Sequence, residues 1–342
     1  MDLAQPLDAA AIHAATLSLD THVDVPWPEM PDPHGATNTR QVDYPKMREG
    51  GLNGVVFIAY TQQGRRDEAG HAAAGARAEA MLRGIAATAG PNGTRLATTA
   101  EELEAAFAAG ESAVMLAVEN GYAMGHDLSR LGLWRSLGAI YVTVTHDGHN
   151  DLADAARIRT ELGDTPICHG GLSELGRAAV AEMNRVGLLV DVSHAAKSSM
   201  MQAAALSRSP IVATHTGCKA ICDHPRNLDD EQLDMVRSVG GLVQITAVQA
   251  FLRQTPAGRR PQASVADMID HVDYAARRIG IDHVGLSSDF DGGGGVEGWK
   301  NAAETPRVTA ELLRRGYSAR EIGLLWSGNF RRLLRIAQRL AA

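Results

Sequence analysis

Cysteine is scarce and odd in number: Cys168, Cys218 and Cys222 are the only three in 342 residues. That count argues against a disulfide framework, and Cys218 and Cys222 read as buried or half-buried free thiols. Basic charge is also short. Lys and Arg total 33 against 40 Asp and Glu, a net charge of −7, and no basic face stands out, so nucleic acid is not expected as a partner. No apolar run has the length of a membrane span. The first 17 residues carry Asp2 and Asp8 and no Lys or Arg, which is not the pattern of a signal peptide. The expectation is a soluble, cytoplasmic protein with no membrane partner. The glycine run Gly292 to Gly295 is not followed by Lys-Ser/Thr, so it is not a phosphate loop.

Regular alternation is what the chain does have. Hydrophobic residues make up 45% of it and charged residues 21%, enough to build a sizeable core. Short runs rich in Val, Ile and Leu occupy 17–24, 54–60, 113–119, 139–146, 188–194, 211–216, 242–248 and 284–289. Such runs suit strands buried on both faces. Helical stretches lie between them at 69–88, 173–186, 195–206, 230–239 and 265–279, another opens at Thr305-Pro306, and 318–340 forms one or two closing helices. No composition break marks a linker. Eight strands alternating with helices predict a (β/α)8 TIM barrel, one α/β domain over 1–342, with its active site at the C-terminal ends of the strands.

That rule can be applied residue by residue. His22 and Asp24 close the first strand, and their spacing of two points both side chains the same way. Glu119 ends the third strand, His146 the fourth, His194 the fifth, His215 the sixth and Asp289 the eighth. Any one of these could be a polar cap. Six strands ending in metal-competent or acid–base side chains, in a fold that gathers those ends at one mouth, predict a metal site.

The segments around these residues resemble the renal (membrane) dipeptidase family, peptidase family M19, of the metal-dependent amidohydrolases. They are Asp20-Thr21-His22-Val23-Asp24, Val118-Glu119-Asn120-Gly121, Val144-Thr145-His146, Gly171-Leu172-Ser173, Glu182-Met183-Asn184-Arg185, Val190-Asp191-Val192-Ser193-His194, Asp223-His224-Pro225-Arg226-Asn227, Asp282-His283-Val284-Gly285 and Ser288-Asp289-Phe290-Asp291-Gly292. They run in order along nearly the whole chain.

The resemblance implies two Zn2+ ions, for which Mn2+ or Co2+ could substitute. His22 and Asp24 would hold one ion, Glu119 would bridge, and His194 and His215 would hold the second. Asp289 would sit beside the first ion and handle the proton, while His146 would contact substrate rather than metal and Arg226 would meet the substrate carboxylate. The chemistry suits these roles. Two ions can lower the pKa of a water held between them, an imidazole can donate to a tetrahedral oxyanion, and a guanidinium matches a carboxylate in two bonds. The implied activity is a dipeptidase that needs a free C-terminal carboxylate and tolerates a D-residue there. The alternative is another amidohydrolase on the same site, for example one acting on N-acyl amino acids. A homodimer is implied by resemblance alone.

Rival assignments remain open in the sequence. His149 competes with His146, and Asp291 with Asp289. Arg226 could pair with Asp223 or Asp230, and His224, His271 and His283 read as structural or surface residues. The seventh strand departs from the family: relatives carry an aromatic segment whose tyrosine helps hold the carboxylate, whereas this chain has Val248.

Overall fold

Apolar residues on both faces of short β-branched strands favour a parallel sheet covered by helices, and the computed structural model has this arrangement. It describes residues 8–36, 39–256 and 258–341. The strands are β1 (Leu19–Asp24), β2 (Gly54–Tyr60), β3 (Ser112–Glu119), β4 (Ala139–Thr143), β5 (Leu189–Asp191), β6 (Val212–Thr216), β7 (Leu242–Thr246) and β8 (Val284–Ser287). Each pairs in parallel with the next, and a short extra strand, Thr94–Leu96, adds to β3 outside this path. Just beyond β8 the sheet meets β1: the Asp24 N–H donates to the Phe290 carbonyl at 2.9 Å and the Asp289 N–H to the His22 carbonyl at 3.0 Å. The residues that close the (β/α)8 barrel are thus the residues of chemical interest.

Strand alternation sorts the core. Leu19, Ile58, Met115, Tyr141, Leu189, Val212 and Leu242 form one buried cluster with Phe330, Leu333 and Leu334 of the helix Asn329–Arg339. This cluster plugs the end of the barrel opposite the mouth. The alternate residues Val55, Phe57, Leu116, Val142, Val190, Val243 and Leu286 face the outer helices. Each fully buried side chain of this size contributes about 1.5–3 kcal/mol. Among the described residues no helix is long and apolar enough to cross a membrane.

The expected strands exist, but several stop early. The runs at 139–146, 188–194 and 284–289 end at Thr143, Asp191 and Ser287. The chain leaves the ladder there to turn side chains toward the mouth, so His146, His194 and Asp289 stand on loops rather than on strands. The helix 265–279 is found as expected, and 69–88 is found as Glu68–Ala86. Among the described residues five helices were not anticipated: the short ones at Ala9–Ala15, Tyr44–Glu49 and Gln249–Leu252, and two longer ones. Ala100–Ala108 was marked only by its capping box, Thr99 with Glu102, and Ser129–Ser136 contains Gly132 and is weakly amphipathic. Cys218 and Cys222 are buried free thiols, and Cys168 is exposed.

Candidate metal centre

The last turn of each strand brings the polar residues together. His22 and Asp24 share one face of β1, Glu119 is the final residue of β3, and His215 lies near the end of β6. His194 follows β5 and Asp289 follows β8, both in the left-handed region at φ 64 and φ 60. Asn120 and Asp291, also at the mouth, have φ 79 and φ 62. Four non-glycine residues in this costly conformation at one rim mark a site whose side-chain directions matter more than local comfort.

Three imidazoles converge on one carboxylate. His22 Nε2 is 3.7 Å from Glu119 Oε2, and His194 Nε2 and His215 Nε2 are 3.3 and 3.4 Å from Glu119 Oε1. The opposite nitrogen of each ring is already engaged. Tyr141 donates its hydroxyl proton to the Thr21 carbonyl at 2.8 Å, so it accepts from His22 Nδ1 at 3.0 Å. Thr214 donates to Asp191 at 2.7 Å and accepts from His215 Nδ1 at 3.0 Å. His194 Nδ1 donates to Asp147 at 3.0 Å. These partners place a proton on Nδ1 of each ring and turn Nε2 toward Glu119.

Lone pairs aimed at a carboxylate repel unless a cation lies between them. His22 Nε2 and Glu119 Oε1 are buried without a hydrogen-bond partner. Burial raises Asp24 well above the usual carboxylate range, Glu119 to about 8 and Asp289 to about 7, with neighbouring carboxylates adding to the shift. Burial also lowers His194 and His215 well below the ordinary imidazole value. The imidazole nitrogens and carboxylates gathered here are donors that suit divalent ions. Three overlapping groups lie within ligand distance: His22 with Glu119 and His215, Glu119 with His146 and His194, and His22 with Asp24 and Asp289. A Cβ on Gly292 would collide with Asp24 and Asp289, so glycine there is what lets those two carboxylates meet.

The rival residues differ in their contacts. His146 lies at the mouth, its ring centroid 4.0 Å from that of His194 and 4.7 Å from that of Tyr60. Burial, followed by the Arg226 charge, lowers it to about 3, so it is a neutral imidazole. His149 is buried elsewhere, with Nε2 donating to the Thr165 carbonyl at 2.8 Å and Nδ1 accepting from the Ala155 N–H at 2.9 Å. Asp291 accepts the Gln41 and Val42 N–H groups at 2.7 and 3.3 Å. Asp223 pairs with Lys219 and Asp230 with Arg278, so neither holds Arg226. The Arg226 guanidinium is buried, donates to the His215 carbonyl at 3.3 Å and lies 5.2 Å from the Phe251 ring centroid. Its Nε has no partner. Burial lowers its pKa to about 10, so it remains a cation at neutral pH.

With this geometry in place, comparison with known proteins identifies the family. The family model for the membrane dipeptidases, peptidase family M19, matches residues 7–342. The chain belongs to this family. It is 34% identical over 248 residues to dipeptidase tcpJ of Claviceps purpurea, covering 72% of this chain and 56% of that protein. The chain thus spans little more than half the length of that relative. The crystal structure of the probable dipeptidase PvdM from Pseudomonas aeruginosa is 29% identical, with a TM-score of 0.91 over 97% of this chain and 98% of that one. A metallo peptidase from Rhodobacter sphaeroides, solved with a phosphinate mimic of the dipeptide L-Ala-D-Ala, is 27% identical, with a TM-score of 0.76 over 88% of this chain and 91% of that one. A metal-dependent peptidase family accords with the donor set at the mouth.

The sequence reading missed the residues that aim the candidate ligands: Tyr141, Asp147, Asp191 and Thr214. Period two along β4 and β6 would have turned Tyr141 and Thr214 inward, but their partners are distant in sequence. The reading also missed Phe251. The helix Gln249–Leu252 that follows β7 places this ring against Arg226, three residues beyond half-buried Val248. His224 reinforces the same loop, accepting the Arg226 N–H at 3.2 Å and stacking on Phe251 with ring centroids 4.6 Å apart. His271 and His283 are structural: His271 bridges the Cys218 N–H and the Leu252 carbonyl, and His283 bonds the Gly241 carbonyl.

Proposed function

We propose that the chain is one catalytic unit, a binuclear zinc dipeptidase acting on dipeptides with a free C-terminal carboxylate. The observation that carries this reading is the convergence of three imidazole Nε2 atoms on the Glu119 carboxylate. His22 and Asp24, with Asp289 beside them, would hold one ion, His194 and His215 the other, and Glu119 both. When bound, such ions lower the pKa of a shared water and polarise a carbonyl. The protein's own groups do the rest. Asp289, held near neutrality by burial, takes the proton of the attacking water and passes it to the leaving amine. His146, neutral and at the rim, donates an N–H to the developing oxyanion. Arg226, with Nε unpaired and Phe251 covering one face, receives the substrate carboxylate in two charge-assisted bonds.

A cleft of about 330 Å3 beside His194 and Arg226, lined by Ala155, Ile158, Pro166 and Val192 among others, offers room for a small side chain. The Rhodobacter relative's complex with an L-Ala-D-Ala mimic favours tolerance of a D-residue at the C-terminal position. Val248 in place of the family's aromatic keeps a second reading open, hydrolysis of N-acyl amino acids at the same centre. A library of dipeptides and N-acyl amino acids, assayed with metal-reconstituted protein, separates the two. In wild type, kcat/KM for a dipeptide should greatly exceed that for its C-terminal amide, and Arg226→Met should erase the difference. Equal wild-type rates on acid and amide would remove the dipeptidase reading.

A further inference from the structure

Outside the mouth, three β-to-α loops bring a second set of metal-competent side chains together. His71 is in the first turn of the helix Glu68–Ala86, which follows β2. His126 comes just after the turn Gly121–Met124 that follows β3, and Asp151 lies in the loop after β4. His71 Nε2 is 2.8 Å from Asp151 Oδ2, and His126 Nε2 is 3.5 Å from the same oxygen. The two imidazole centroids are 5.3 Å apart, and the three donor atoms lie within 4.8 Å of one another. Gly125 permits the approach. Its φ is 57, and a Cβ there would stand 2.9 Å from His71 Cβ.

A His–Asp ion pair would point the ring N–H at the carboxylate oxygen. Here His71 Nε2 and Asp151 Oδ2 are both buried, and neither has a hydrogen-bond partner despite their short separation. Two ligand atoms this close without a hydrogen bond between them are an arrangement that a shared cation would relieve. Donors about 2.0–2.1 Å from one tetrahedral ion stand about 3.3 Å apart, and the two observed separations bracket that figure. His126 is 71% exposed at its side chain, so it can adjust to complete the set, and a cleft lined by both imidazoles with Met124 and Arg130 adjoins them.

We propose that His71, His126 and Asp151 form a further divalent-metal site, separate from the catalytic centre and suited to Zn2+ or a neighbouring first-row ion. A bound ion ties the loops after β2, β3 and β4 into one unit. Asp151 follows Asn150, whose side-chain amide donates to Asn120 at 3.1 Å and to the Val144 carbonyl at 2.8 Å. The clamp therefore bears on the segment next to Glu119.

The test titrates the chelator-stripped full chain with Zn2+ alone. Wild type is compared with His126→Ala, and both are repeated in a Glu119→Gln background. His126→Ala should take up about one equivalent less than its parent in both backgrounds. Asp151→Asn, which keeps the side-chain shape, should do the same. Unchanged zinc uptake in His126→Ala and Asp151→Asn overturns the site. Because the difference is read with Glu119 replaced as well, failure of the catalytic-centre reading shows separately, as unchanged uptake between wild type and Glu119→Gln.

Discussion

Asp147 makes no contact with substrate or metal in the proposed mechanism, yet it should govern how tightly the second ion is held. Its carboxylate accepts the His194 Nδ1 proton at 3.0 Å and is itself pinned by Arg157 at 3.0 Å. This bond fixes the tautomer that frees His194 Nε2, and it makes the ring more basic. A charge-assisted bond contributes about 1.5–3 kcal/mol and a neutral one about 0.5–1.5 kcal/mol. Asp147→Asn keeps an acceptor and loses the charge, so it should cost about 1–1.4 kcal/mol, or up to about tenfold in affinity. Asp147→Ala frees the ring to turn and should approach a hundredfold, the upper range for such supporting residues. The Asp147 side chain is 23% exposed, which places both figures toward the low end. Competition against a zinc chelator reads the affinity directly, and kcat at saturating zinc should fall much less. Wild-type zinc affinity in both Asp147→Asn and Asp147→Ala would refute the reasoning, because it would mean that His194 is aimed by packing alone.

Three more outcomes follow from the same geometry. Glu119→Gln removes the negative charge and one of the two oxygens on which three imidazoles converge, so elemental analysis should show a loss of about two ions together with activity; a fully active, metal-free protein would end the metal reading. Asp289→Asn should cut turnover far more than metal content, since an amide cannot take the proton. His146→Asn should also retain metal and lose about 2.7–4 kcal/mol of transition-state stabilisation, and loss of an ion from His146→Asn would make that residue a ligand instead. His13, at the far end of the barrel, bonds Thr309 at 2.7 Å and the Gly50 carbonyl at 2.9 Å. Burial lowers its pKa from 6.5, against the opposing pull of the Gly50 bond, so its contribution to stability is complete above about pH 6.5 and is lost as pH falls below that value. The Tm advantage of wild type over His13→Gln should therefore narrow between about pH 7.5 and pH 5, and a constant difference would show that His13 is not held neutral.

Much of the centre was legible because strand order in a (β/α)8 barrel converts sequence position into place on one rim. His22, Asp24, Glu119, His194, His215 and Asp289 could be grouped without coordinates for that reason, and the M19 resemblance followed from the segments that carry them. Local spacing could not choose between His146 and His149. That choice depended on Thr165 and Ala155 occupying the His149 ring. Nor could it exclude an ion pair for Arg226, which was decided by where Lys219 and Arg278 reach.

By itself the sequence determined what repeats: apolar runs that must pair and bury, helices that cover them, and polar residues at the ends of those runs. Tertiary structure decided what depends on direction. The left-handed turns at His194 and Asp289, the Nδ1 contacts that turn three Nε2 atoms toward Glu119, and the glycine at 292 that lets Asp24 and Asp289 meet join residues from opposite sides of the barrel. The meeting of His71, His126 and Asp151 across three loops is of the same kind. A linear pattern encodes which face a side chain takes along its own strand, because that follows from backbone period. It does not encode what waits on the other side, because that is set only when the ring closes.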